Sequence, residues 1–93
     1  MPHIAEMLPL ATRHYRHWEK HFPDYCNKID ELLEDMEEHP FEGIGKPEPL
    51  KYNLRGFWSR QISEEHRLVY EVKGNMIYVH RCKGHYSGST FCS

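Results

Sequence analysis

Ninety-three residues are enough for one domain with one modest hydrophobic core. With 39% hydrophobic and 28% charged residues the chain is not disordered, and no apolar run approaches the roughly 18–20 residues of a membrane span. The net charge of −2 divides unevenly: residues 1–45 hold four Lys/Arg against ten Asp/Glu, and residues 46–93 hold eight against four.

In chain order, Leu8, Ala11, Tyr15 and Trp18 recur at a helical period and predict a helix over about 8–21, with Pro9 in its first turn. Pro23 fits the first turn of a second helix. There Cys26, Ile29, Leu32, Leu33 and Met36 form an apolar stripe, the opposite face is acidic, and His39-Pro40 marks the end. Gly43, Gly45, Pro47 and Pro49 then exclude a helix. Four strands are expected near 50–55, 57–63, 66–73 and 75–82, with Gly74-Asn75 as a tight turn between the last two. Leu68, Tyr70 and Val72 should face one way, and Arg67, Val69 and Glu71 the other. The fold class is therefore α+β: two N-terminal helices packed on one face of a small twisted, mainly antiparallel β-sheet. The other face, carrying Arg67, is expected to stay partly open for a ligand.

Cys26, Cys82 and Cys92 are an odd number without CxxC spacing, so they read as free thiols of a reducing cytosol. No basic segment followed by an apolar stretch opens the chain, and a cytoplasmic location without membrane attachment is expected. His14, His17 and His21 could in principle present imidazoles to one metal, but nothing nearby completes a ligand set. They read as surface histidines, and no metal or cofactor is expected.

The basic second half could serve phosphate binding, although acidic helices beside a neutral-to-basic sheet would give the same tally. Cutting RNA requires a base for the 2′-OH, an acid for the departing 5′-oxygen and a cation for the phosphate. Glu48, held between Pro47 and Pro49, is a candidate carboxylate, although the tripeptide alone reads more readily as an ordinary exposed loop glutamate, and Arg67 is a candidate cation unless it is a plain surface residue or a partner for Glu71. His85, followed by Tyr86, is a candidate acid, and Arg81, Lys83 and His85 alternate on one face. Lys46, Lys51, Arg60, Arg81 and Lys83 could contact phosphates. Tyr52 and Tyr86 could stack on bases, whereas Phe57 and Trp58 read as core.

The run Gly45-Lys-Pro-Glu-Pro-Leu-Lys51, then Gly56-Phe-Trp-Ser-Arg60, Glu64-Glu-His-Arg-Leu-Val-Tyr70 and Cys82-Lys-Gly-His-Tyr86, closely resembles the YoeB toxins of the RelE/ParE superfamily. Lys28 to Asp35 and Trp18 extend the likeness backwards. The resemblance implies a RelE/YoeB-like microbial ribonuclease fold. It also implies the toxin of a type II toxin–antitoxin pair, an endoribonuclease that binds the bacterial 70S ribosome and cleaves A-site mRNA without a metal. Glu48 would be the general base, His85 the general acid and Arg67 the phosphate-stabilising cation, with Tyr86 and the lysines positioning RNA. The implied partners are a YefM-type antitoxin and a second copy in a homodimer. The alternative on the same scaffold is a non-catalytic binder, either gyrase-directed or a degenerate toxin acting only with its antitoxin. The family opens with a short hydrophobic strand, whereas Met1–Leu10 holds two prolines and little strand character. The first strand is thus expected to be absent, short or re-paired, exposing a sheet edge. Residues 1–86 form the expected domain, and 87–93 a short, polar, mobile tail.

Overall fold

The computed structural model describes residues 3–51, 54–86 and 91–92, with side chains for 3–51 and 54–84. Strand β1 (Ile4–Met7) leads into helix α1 (Pro9–His21), and Phe22 separates α1 from α2 (Pro23–Glu38). Both helices start on proline, whose missing N–H and fixed φ suit a first turn. A loop then reaches β2 (Glu48–Pro49), β3 (Phe57–Gln61), β4 (Arg67–Lys73) and β5 (Met76–Arg81). Gly74, at φ +62°, makes the tight turn between β4 and β5. The sheet order is β1-β5-β4-β3-β2, with β1 parallel to β5 and every other pair antiparallel. A separate short pair joins β6 (His85–Tyr86) to β7 (Phe91–Cys92). The expected mobile tail falls largely on residues 87–90 and 93, outside the described residues.

Both helix expectations agree with the structure to within about two residues. The strand expected over 50–55 is not there: pairing stops at Pro49, and Leu54 N–H donates to the Lys51 carbonyl across a turn. Leu50 and Leu54, four residues apart, instead fold over the sheet and pack with Phe57 on Val69. This pad covers part of the face opposite the helices.

The main core fills the helix side. Ala11 and Trp18 of α1 and Ile29, Leu32 and Met36 of α2 pack on Leu68, Tyr70, Ile77 and Val79 of the sheet. The alternation read along β4 is therefore the observed one. Burying one Leu- or Ile-sized side chain contributes roughly 1.5–3 kcal/mol, so this layer carries most of the stability. Strand β1 is present but only four residues long. Two amides on its outer side are taken up: Glu37 accepts from His3 N–H, just before the strand, through its carbonyl and from Ala5 N–H through its carboxylate, at 2.8 Å each. The end of α2 thus covers the start of the sheet edge expected to be exposed.

Beneath the 39–45 loop lies Arg60, fully buried with all five of its N–H donors in use. Nε donates to Tyr70 Oη, Nη1 to Asp35 Oδ2 (2.6 Å) and the Ile44 carbonyl, and Nη2 to the carbonyls of His39 and Glu42. Arg60 was expected to touch RNA phosphate, and the structure corrects this, since no donor remains and no part of the residue reaches solvent. Burial pushes the Asp35 carboxyl up, but the Arg60 hydrogen bond, the Ile44 amide and the Arg60 charge outweigh it and hold it below the ordinary carboxylate range. Gly45, at φ +78°, lets the loop pass Leu32, whose Cδ2 would lie 2.6 Å from an added Cβ. Replacing Arg60 by Met strands a carboxylate and three carbonyls, and urea titration should show a loss of about 3–5 kcal/mol. A loss below about 1 kcal/mol would mean that the loop closes without it.

Candidate active site

Glu48 owes its position to backbone constraints on both sides. Lys46 adopts φ +51°, rare for a side chain, and Gly45 O accepts from Gln61 N–H at 2.7 Å. Pro47 and Pro49 then keep the chain extended, so that Glu48 pairs with Ser59 and Leu50 N–H donates to Phe57 O. The carboxylate stands at the sheet edge with 58% of its side chain exposed.

Arg67 opens β4 opposite Gln61 and points to the face away from the helices. Its Nη1 lies 3.5 Å from Glu48 Oε1. It does not pair with Glu71, which is held by His80 Nε2 at 2.9 Å and Lys73 Nζ at 3.9 Å. The Arg67 N–H donates to Gly84 O at 3.0 Å, tying the start of β4 to the residue before His85. His85 and Tyr86 are placed by their backbone, in β6; their side chains lie outside the described residues, as does Tyr52.

Of the other expected phosphate contacts, Lys46 and Lys51 are exposed, with no ion-pair partner among the described residues. Arg81 is opposite Val69, and its Nε donates to Lys83 O. A register shift between Val69 and Tyr70 opposes them to Arg81 and Val79, leaving His80 as the extra residue of a bulge. Phe57 and Trp58 pack on apolar clusters, as expected. Ser59 is buried in the ladder between Glu48 and Val69, its hydroxyl without a partner among the described residues.

Cys26 and Cys82 are buried free thiols. Among the described residues no three His, Cys, Asp or Glu side chains are grouped to hold a metal. His17 and His21 are exposed, but His14 is not the surface residue expected: its Nδ1 accepts from Cys82 N–H at 3.2 Å. His66, which sequence reasoning passed over, accepts from Gly84 N–H at 3.0 Å, and its ring packs edge-on against Trp18 and Tyr25. Its signal was strand parity: His66 shares the helix-facing side with Leu68 and Tyr70.

The Glu48–Arg67 pair is long at 3.5 Å, and its carboxylate is exposed while Arg67 is half-buried, so solvent screening leaves it little weight in stability. Glu48→Gln and Arg67→Gln should each leave the unfolding free energy within about 0.5 kcal/mol of the parent, with a coupling between them below about 1 kcal/mol. Larger values from chemical denaturation would make the pair a structural one.

A family profile described as a YoeB-like toxin of a bacterial type II toxin–antitoxin system matches residues 9–86. Toxin YoeB of Escherichia coli (strain K12) is 51% identical over 72 residues, which cover 77% of this chain and 86% of that protein. The YoeB dimer from Staphylococcus aureus superposes with a TM-score of 0.84 at 41% identity, covering 92% of this chain and all of that one. The toxin in the YoeB–YefM complex from the same organism gives 0.81 at the same identity and coverage. The chain belongs to the YoeB-like toxins of bacterial type II toxin–antitoxin systems.

Proposed function

We propose that this toxin is a ribosome-dependent endoribonuclease that cleaves mRNA in the A site by metal-independent acid–base chemistry, and so stops translation. The observation that carries the reading is the meeting of Glu48 and Arg67 on the sheet face away from the helices, 3.5 Å apart, with Arg67 bonded through its backbone to the residue before His85. In this reading Glu48 takes the proton of the 2′-OH, which attacks the adjacent phosphorus. Arg67 stabilises the charge gathering on the phosphate oxygens, and His85 gives a proton to the departing 5′-oxygen. The weak Glu48–Arg67 pairing suits this role, because an entering phosphate displaces it at little cost. Tyr86, Lys46, Lys51, Arg81 and Lys83 are assigned to holding the RNA.

A cleft of about 400 Å³ beside the Glu48 loop, lined by Lys28, Lys46, Gln61, Ser63 and Glu64 and so carrying two cations against one carboxylate, offers a path for the flanking nucleotide. The concavity on α2 lined by Glu31, Glu34, Asp35 and Glu38 would repel phosphate. The proposed partners are a YefM-type antitoxin, as in the S. aureus YoeB–YefM complex, and a second copy of the chain, as in the S. aureus dimer. Among the described residues no helix is long and apolar enough to cross a membrane, and the proposed place of action is the cytoplasm.

A carboxylate and a histidine cut poorly unless the RNA is held for in-line attack. In a purified translation reaction the wild-type chain should cleave A-site mRNA and leave the same naked RNA nearly intact. Glu48→Ala, Arg67→Ala and His85→Ala should each slow cleavage by about 10²–10⁴-fold. Equal cutting by all three variants would sink the assignment, and equal rates on naked RNA would sink the ribosome dependence. Inhibition of gyrase supercoiling without mRNA cleavage would favour a non-catalytic binder.

A further inference from the structure

The segment Cys82–Gly84, which delivers the chain to His85, is gripped from two sides. From α1, Trp18 Nε1 donates to Cys82 O at 2.9 Å, and His14 Nδ1 accepts from Cys82 N–H at 3.2 Å. At the start of β4, Arg67 N–H donates to Gly84 O and His66 Nδ1 accepts from Gly84 N–H, both at 3.0 Å. Cys82 Sγ also donates to Ala11 O. The backbone donors and carbonyls of Cys82 and Gly84 thus end on two imidazoles, an indole and the amide of Arg67. A backbone N–H can donate only to an imidazole nitrogen that carries no proton, so both bonds require neutral rings with the proton on Nε2.

We infer that His14 and His66 are positioning residues: as neutral Nε2–H tautomers they hold the amides of Cys82 and Gly84, and thereby fix where β6 presents His85 beside Arg67. Their importance to cleavage rests on the function proposed above for His85; the clamp itself does not. Both rings would be expelled as acceptors by protonation, which turns Nδ1 into a donor facing a donor.

The surroundings keep the rings neutral. Burial pushes His14 down to about 4, helped by the charges of Arg81, Lys83, Arg13 and His17. Burial also lowers His66, with Lys83 acting the same way and Glu65 opposing. Tyr25 and Trp18 complete the wall around His66, and the Cys82 thiol, itself pushed up to about 12 by burial, stays protonated beside α1. A histidine whose folded pKa is depressed binds its proton more readily in the unfolded chain. The stability it contributes is complete above its ordinary value of 6.5 and is lost as pH falls, for His14 towards about 4. The grip on Cys82 and Gly84 should therefore loosen on acidification before the core does.

The direct test is NMR of the full chain labelled with ¹⁵N and ¹³C. At pH 7 both rings should appear as Nε2–H tautomers, with scalar coupling across the hydrogen bonds from the Cys82 and Gly84 amides to the ring nitrogens. On titration to pH 4 those two amides should lose protection from hydrogen exchange while Val69 and Ile77 keep theirs. His66→Asn places a non-titrating oxygen where Nδ1 stood, so Gly84 should remain protected to low pH, whereas His66→Leu should expose it at every pH. On the ribosome His66→Asn should cleave close to wild type, and His66→Leu at least about tenfold more slowly. Nδ1–H tautomers, or protonation of both rings with both amides still protected, would overturn the clamp. If the clamp is seen while His85→Ala still cleaves normally, the catalytic assignment has failed and the clamp has not. If the clamp is seen and His66→Leu cleaves like wild type, the positioning role is refuted.

Discussion

The guanidinium of Arg60 is the interaction on which the rest of the site depends. Helix α2 ends in Glu37-Glu38, against the preference of a helix C-terminus for positive charge. Arg60 supplies that charge from below, bonded to the His39 carbonyl just past the helix, to two further loop carbonyls and to Asp35 within it. One buried cation therefore ends the helix, folds the loop back and sets the path into β2. Its burial is tolerable because every donor has an acceptor and a carboxylate stands against the charge. The same residue is lost to catalysis for the same reason.

From this anchor the site follows in short steps. The loop reaches β2 with Gly45 bonded to Gln61, and Pro47 and Pro49 aim Glu48 outwards opposite Ser59. Gln61 is in turn opposite Arg67, so the carboxylate and the cation come from neighbouring parts of one ladder. Arg67 bonds backbone to backbone with Gly84, which His66 holds from the other side. Residues that are weakly held as side chains are strongly held through their backbones. That combination suits the proposed chemistry, in which the groups must be placed accurately yet exchange partners with an entering phosphate.

Much of this was legible in the sequence, because the helices and the β4–β5 hairpin are built on local rules. The stripe of Cys26, Ile29, Leu32 and Met36 is the face that packs, and Gly74-Asn75 is the turn. The failures were tertiary. Leu50 and Leu54 resemble strand residues but form a pad over Val69, a use that depends on a distant strand. In β1 Ile4 is exposed while Ala5 and Met7 pack inward, so hydrophobicity alone misleads, and the Glu37 carboxylate that caps its edge lies 32 residues away. Arg60 and Arg67 are both strand arginines; only their parity on the sheet separates the fully buried anchor from the half-buried cation on the opposite face. The grouping of Glu48 with Arg67 and His85 came from family likeness, since no spacing rule links residues so far apart in sequence.

The central claim is that this site makes the RNA attack itself through its own 2′-OH. The most direct measurement places a single 2′-deoxynucleotide immediately 5′ of the cleaved phosphodiester in an mRNA programmed into the A site of purified ribosomes. The account predicts that the all-ribose message is cut to leave a 2′,3′-cyclic phosphate and a 5′-hydroxyl, while the substituted message survives. Cutting of the deoxy-substituted bond at an undiminished rate would contradict it, because Glu48 would then have no 2′-OH proton to remove.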